Sequence, residues 1–268
     1  MKLNYKEQGA GPVIILMHGM FGSLSNLGNL GRELSTRYRV IAVDLRNHGG
    51  SPHDSTMDIA SMAADIVELM DDLGVAVAGL VGHSLGGKIG MQVALNYPDR
   101  VKSLVVADIA PVDYPQSNDN VVQGLQALAL EPLASRSDAD RILSRFIEDK
   151  TTRAFILKNL HRNQSEDLVL KLNVDAIVAN YNGNLTRAPN GNAFSGPALF
   201  VKGEKSAYIQ EKHRPIIEHL FPNSELVVID AVGHWLHAEK PGLFNDLVIG
   251  FLVQMAEQID QSIVESRA

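Results

Sequence analysis

Gly82-His83-Ser84-Leu85-Gly86 lies between the apolar run 77–81 and the helix-forming stretch 88–96. That order is strand, sharp turn, helix, and so tight a turn demands residues without side chains two positions either side of its tip. Ser84 stands at the apex, where a strained backbone lifts its hydroxyl clear of a sheet and faces it with a helix N-terminus. Its expected role is nucleophile. Such Gly-x-Ser-x-Gly strings are common in a chain with 22 glycines, so the flanking strand and helix carry the inference. A competing pattern uses the same residues. Positions 82–88 nearly spell the phosphate-cradling G-x-x-x-x-G-K-[ST], and Leu104-Val-Val-Ala-Asp108 is like the acidic strand end that helps hold magnesium. Ile89 occupies the hydroxyl position and cannot bind a metal, which leaves nucleotide binding a remote alternative.

Outward from this turn, short apolar runs at 13–17, 40–43, 77–81, 104–107, 198–201 and 226–229 are continuous rather than alternating, as in a parallel sheet covered on both faces. Helical patterns at 58–73, 85–97, 211–220 and 241–258 lie between them. The expected fold class is α/β, a mostly parallel central sheet with helices on both faces. From 111 to 195 strand signals vanish, and segments 120–130, 138–147, 151–160 and 165–178 carry apolar residues at helical spacing. A helical cap inserted between two late strands is expected at 112–196, returning through the Gly/Asn/Pro-rich stretch 182–197. Residues 1–111 and 197–268 form the expected core.

The chain has 268 residues, 45% of them hydrophobic, enough to bury a sizeable core, and its formal charge of −7 offers no nucleic-acid or polybasic membrane footprint. With no Cys there are no disulfides or thiolate sites. The first eight residues lack the apolar stretch of a secretory signal, and the longest apolar runs are far too short for a bilayer. The expectation is a cytoplasmic protein without stable membrane association, a monomer or small homo-oligomer. No H-E-x-x-H or similar ligand spacing occurs, so neither metal nor other cofactor is expected.

Open α/β sheets bind ligands beyond the carboxyl ends of their strands. After the first long strand comes His18-Gly-Met-Phe-Gly22, a glycine-bearing loop able to supply one backbone N–H to a developing oxyanion while the residue after the nucleophile supplies another. Met20 and Leu85 are the expected donors, with Phe21 a substitute for Met20. Serine also needs a base. His234 and His237 follow the last strand, and the flexible Gly233 favours His234, leaving His237 structural. His18 and His83 are expected to support the oxyanion loop and the nucleophile turn. The residue that orients the imidazole is ambiguous, because Gly203-Glu-Lys-Ser206 puts a serine where an acid usually stands. Asp108, at the end of the preceding strand, is the expected acid, with Ser206 as its accessory and Glu204 and Asp230 as alternatives. Phe21, Phe146, Phe155, Leu160, Tyr181, Phe194 and Trp235 are candidate pocket residues, and Arg153, Lys158 and Arg187 are candidate contacts for an anionic substrate.

Together, His18-Gly-Met-Phe-Gly-Ser23, Asp44-Leu-Arg-Asn-His-Gly49 with Ser51, Gly82-His-Ser-Leu-Gly-Gly87, Ala107-Asp-Ile-Ala-Pro111 and Gly233-His-Trp-Leu-His-Ala-Glu239 resemble the α/β-hydrolases, specifically the YbfF-type esterases. The likeness spans essentially the whole chain, including Arg153-Ala-Phe-Ile-Leu-Lys-Asn-Leu160 of the cap. It implies the α/β-hydrolase fold and a cofactor-free carboxylesterase acting on small-molecule short acyl esters, with acyl-CoA thioesters as a second substrate class. It also implies an acid at Asp108 with a serine in the usual acid position. Met20 replaces a more usual Leu, a change of little consequence if only its N–H acts. Alternatives within the fold are C–C bond hydrolysis, perhydrolysis and a ligand-binding protein with vestigial catalysis.

Overall fold

Continuous apolar runs need cover on both faces, and the fold supplies it with helices either side of one twisted sheet. The computed structural model describes residues 1–115 and 119–265, with side chains as far as residue 255. Residues 116–118 of the expected cap and 266–268 of the expected core lie outside the described residues. In chain order the first part contains β1 (Tyr5–Gln8), β2 (Val13–Met17), α1 (Gly28–Leu34), β3 (Arg39–Val43), α2 (Ile59–Asp72), β4 (Ala78–His83), α3 (Leu85–Asn96) and β5 (Val101–Ala107). There follow α4 (Asn120–Leu130), α5 (Arg136–Leu143), α6 (Lys150–Leu157), a two-stranded pair β6 (Leu160–Arg162) and β7 (Leu168–Leu170), and α7 (Val174–Tyr181). The chain closes with β8 (Ala198–Gly203), α8 (Arg214–Leu220), β9 (Ser224–Ile229), α9 (Leu236–Glu239) and α10 (Pro241–Glu265).

The seven-stranded sheet has the order β1-β3-β2-β4-β5-β8-β9, parallel throughout except for β1, which pairs antiparallel with β3. Side chains alternate between two apolar layers, as the period of a strand requires. Ile15, Met17, Leu80, Leu104 and Val106 face α2 and α3 on one side, while Ile14, Leu16, Val81, Val105 and Val201 face α1 and α10 on the other. The insertion leaves the carboxyl end of β5 before the chain returns to the neighbouring parallel strand β8, so it stands at the carboxyl ends of the strands. Its apolar residues Leu125, Ile142, Leu143, Ile156 and Ile177 join the first of these layers.

The insertion differs from its expected form at 165–178. A helix was expected there, but β6 and β7 form a hairpin and the helix starts only at Val174. Asn163 Oδ1 accepts the N–H groups of Ser165 and Asp167, and Glu166 takes φ 64°, so local side-chain hydrogen bonds close a tight turn in competition with a helix. Two further elements, β1 and α1, carry weak sequence signals. The first is a short polar edge strand; the second contains two glycines and forms because Leu30 and Leu34 are buried against the sheet. Among the described residues no helix is long and apolar enough to cross a membrane, and no group of three or more His, Asp or Glu is arranged to hold a metal.

Candidate active site

The turn between β4 and α3 explains its own glycines. A Cβ on Gly82 would lie 2.2 Å from the Gly86 carbonyl oxygen, and one on Gly86 would lie 2.3 Å from that of Met17. Strand, helix and the neighbouring β2 therefore approach closer than any side chain permits. Ser84 sits between them at φ 51° and ψ −114°, a strained conformation for a residue with a side chain, held by its N–H donating to Ala107 O at 2.9 Å. Left-handed backbone at non-glycine residues recurs at Phe21, Asn47, Asp108 and Ala231, each just beyond the end of a different strand. Strain is thus concentrated at the carboxyl edge of the sheet, where open α/β sheets bind ligands.

Two buried histidines bracket the loop after β2. His18 Nε2 accepts Leu45 N–H at 3.0 Å, so its Nδ1 carries the proton and donates to Gly19 O at 2.7 Å. His48 Nε2 accepts Phe21 N–H at 3.1 Å, and its Nδ1 donates to Arg46 O at 2.9 Å. Burial lowers His18 to about 4, and burial reinforced by His18 lowers His48 to about 3, so both stay neutral in this role near pH 7. Because Phe21 N–H is committed to His48, it does not point into the site. Met20 N–H makes no hydrogen bond among the described residues, and Leu85, as the first residue of α3, has an N–H without an intrahelical acceptor. Met20, Leu85 and Ser84 line one cavity.

On the other side of Ser84 lies the fully buried Asp108. Its Oδ1 accepts Gly203 N–H at 3.0 Å; its Oδ2 accepts the Ser206 hydroxyl and faces His234 Nδ1 at 2.7 Å. Two further contacts hold His234. Its ring stacks on Tyr208 with centroids 4.1 Å apart, and its carbonyl oxygen accepts His83 Nε2–H at 2.9 Å. His83 is buried with its pKa well below the usual histidine value, chiefly through desolvation, so it serves as a neutral donor. Ser84 Oγ makes no hydrogen bond to His234 among the described residues, but His83, adjacent to Ser84 in the chain, has its ring 4.8 Å from that of His234. Glu204 is turned away, accepting Ala231 N–H, and Asp230 contributes its carbonyl oxygen to Lys240. His237 is buried against His83, with burial lowering it to about 4.

The cavity at Ser84 has a volume of about 260 Å³, and its walls combine Met20, Leu85, Ile109 and Leu185 with Lys88, Tyr114, Asp119, Tyr181 and Tyr208. Of the aromatic candidates, Tyr181 belongs to this wall, its hydroxyl donating to Asp119. Phe155 and Trp235 instead pack on each other at 4.3 Å beside a separate groove that Lys158 also lines. Phe21 and Phe146 pack against the first apolar layer, Leu160 is buried in it, and Phe194 stacks on Phe221 in the core. Arg153 is buried on Asp140 and the carbonyls of Ile147 and Glu148, while Arg187 is exposed. The sequence carries no signal for Tyr114, Asp119 or Tyr208 in this wall, and it marks Lys88 only as part of the phosphate-loop-like pattern. Lys88 was legible, lying four residues after Ser84 and hence on the same face of α3. It donates to Thr186 O at 2.7 Å and Arg187 O at 2.6 Å and lies over the Tyr114 ring; burial lowers its pKa to about 7. Tyr114 has no local signal, since its hydroxyl bridges Ala110 N–H to Tyr208 O across 94 residues of chain.

A parallel sheet, a strained serine between strand and helix, and a buried carboxylate–imidazole pair at the same edge define a class. The model of the alpha/beta hydrolase fold family matches residues 12–241, and the chain belongs to that family. It is 36% identical over 247 residues to esterase YbfF of Escherichia coli strain K12, covering 90% of this chain and 95% of that protein. It is also 36% identical over 249 residues to the mouse sn-1-specific diacylglycerol lipase ABHD11, covering 90% of this chain and 81% of the relative. Among solved structures, a marine microorganism esterase superposes with a TM-score of 0.89 at 36% identity, covering 93% of this chain and 99% of that one.

Proposed function

We propose that the protein is a serine carboxylesterase that hydrolyses short-chain acyl esters through an acyl-enzyme. The observation that carries this reading is the convergence of Ser84, Met20 and Leu85 on one small cavity, with Tyr208 of the same wall stacked on an Asp108-paired His234. With Nδ1 donating to Asp108, Nε2 is the basic nitrogen of His234. Ser84 Oγ attacks the ester carbonyl as His234 Nε2 takes its proton; the N–H groups of Met20 and Leu85 hold the oxyanion. The tetrahedral species collapses, the proton passes from His234 to the departing alkoxide, and water repeats the sequence on the acyl-enzyme. Ser206 completes the hydrogen bonding of Asp108. Relatives named esterase and lipase support the same reaction class.

The cavity is below the ~300 Å³ lower end of typical ligand pockets, which favours short acyl groups. Thioesters present the same acyl half and are the second substrate class. In this reading residues 112–196 are the cap and 1–111 with 197–268 the catalytic core. Nucleotide binding is disfavoured because the Lys88 ammonium is engaged by two carbonyls and Ile89 is buried without a hydroxyl. Ser84→Ala is expected to abolish p-nitrophenyl acetate turnover with unchanged thermal unfolding, and a fluorophosphonate is expected to label Ser84 alone. Turnover retained in the variant, or a label found elsewhere by mass spectrometry, overturns the assignment.

A further inference from the structure

We infer that Asn159, on the insertion between β5 and β8, is a positioning residue that sets the oxyanion loop. This rests on the esterase reading above. The loop's turn is closed by Gly22 N–H donating to Gly19 O at 3.0 Å, and its third residue, Phe21, has φ 61°. A turn with positive φ at that position normally takes glycine, so a phenylalanine holds it only where its surroundings impose it. Two contacts do so, one on each side of Phe21. His48 accepts the Phe21 N–H, fixing the peptide plane between Met20 and Phe21; Asn159 Nδ2 donates to Phe21 O at 2.8 Å, fixing the next plane.

Asn159 is itself 5% exposed and rigidly held. Its Nδ2 also donates to Ile156 O at 3.1 Å, and its carbonyl oxygen accepts Lys171 N–H at 2.9 Å. A second pair of contacts repeats the pattern on the loop after β3. Asn173 donates its backbone N–H to Asn47 O and its Nδ2 to Asn47 Oδ1, both at 3.0 Å, and Asn47 is another left-handed non-glycine residue, at φ 66°. His48 follows Asn47 directly. Hydrogen bonds, with the Asn47–His48 peptide link, therefore run from Asn173 through Asn47 and His48 to Phe21 and Asn159, and within the insertion Lys171 N–H on Asn159 O ties the two ends together. The insertion grips both strained loops: the peptide that carries the Met20 N–H is held at Gly19 O by His18 and Gly22, and the seated insertion fixes the planes that follow it, completing the aim of that N–H. Docking of the insertion and stabilisation of the oxyanion are in this way one event.

The test compares Asn159→Ala and Asn159→Asp with wild type, and uses His48→Leu to remove the opposite anchor. Active sites are titrated with a fluorophosphonate, kcat and KM are measured with p-nitrophenyl acetate, and an aryl trifluoromethyl ketone serves as an oxyanion-forming inhibitor. Per titrated site, kcat is expected to fall about ten- to a hundredfold, with the trifluoromethyl ketone weakened by a similar factor and KM changed by less than about threefold. Asn159→Asp keeps the side-chain size but turns the donor into a charged acceptor facing two carbonyl oxygens, so its loss is expected to equal or exceed that of Asn159→Ala, and normalising to titrated sites keeps the comparison valid if either variant is partly unfolded. A kcat per site within about twofold of wild type in these variants overturns the inference. So does a loss of titratable sites that leaves normal turnover at those remaining, which marks Asn159 as structural only. Failure of the esterase reading is distinct: wild type then shows no titratable site, or Ser84→Ala retains turnover.

Discussion

Replacing Asp108 with Asn leaves volume unchanged and inverts one hydrogen-bonding group. In one orientation the amide oxygen accepts Gly203 N–H, as Oδ1 does in the native protein, and the NH₂ faces His234 Nδ1. That NH₂ donates, so Nδ1 must give up its proton and Nε2 must carry it, and His234 can no longer take the proton of Ser84. The flipped orientation keeps the useful tautomer but opposes the NH₂ to Gly203 N–H in a fully buried place, at a cost of about 1–3 kcal/mol for an unsatisfied donor. Either way the imidazolium formed during attack loses its counter-charge. Taking the charges about 4 Å apart at an effective dielectric near 20, that loss is about 4 kcal/mol. The two effects sum to roughly 5–7 kcal/mol, about four to five decades in rate at 1.36 kcal/mol per decade. The assay is kcat with p-nitrophenyl acetate, with thermal unfolding measured alongside to show an intact fold. A drop of less than about tenfold, or a larger loss in Glu204→Gln, refutes Asp108 as the acid.

Other perturbations test the supporting structure. Gly86→Ala places a methyl group 2.3 Å from Met17 O, so a loss of about 1–3 kcal/mol in denaturant unfolding is expected together with loss of turnover; native-like stability contradicts the close approach. Tyr208→Ala removes the ring stacked on His234, an interaction of about 0.5–1.5 kcal/mol, so kcat is expected to fall about two- to tenfold while Tyr208→Phe stays near wild type. His18, His48 and His237 are lowered to about 4, 3 and 4, below the ordinary 6.5. Between those values the unfolded chain binds more protons, so stability is full above about pH 6.5 and declines as pH falls toward 4, by up to about 1.4 kcal/mol per pH unit for each histidine. Urea midpoints from pH 7 to 4.5 are expected to show this slope, and His48→Gln, which retains an acceptor for Phe21, to flatten it; a flat wild-type profile counts against neutral buried histidines.

Much of the fold is written in local pattern. Six unbroken apolar runs separated by helical ones demand a sheet covered on both faces, and β1 and α1 escape notice because one is a polar edge strand and the other a glycine-containing helix shaped by its neighbours. The hairpin at β6 and β7 escapes because its turn is set by Asn163 bonding to its own backbone, a contest that apolar spacing does not record.

The turn at Ser84 is legible from sequence alone, since glycine at 82 lets the strand meet the helix backbone at Gly86, a constraint acting within five consecutive residues, while Gly86 also answers to the neighbouring β2. The order of Ser84, Asp108 and His234 along the chain is likewise readable, but sequence order left three carboxylates in competition. Only tertiary structure sets them apart: the crossing from β5 to β8 brings Asp108, Gly203 and Ser206 to one point beside His234 and turns Glu204 away. The same holds for the cavity wall and for the grip of Asn159 on Phe21, 138 residues apart. Turn chemistry acts between neighbours and leaves a mark in the sequence, whereas a hydrogen bond across the fold depends on where two distant segments happen to be carried.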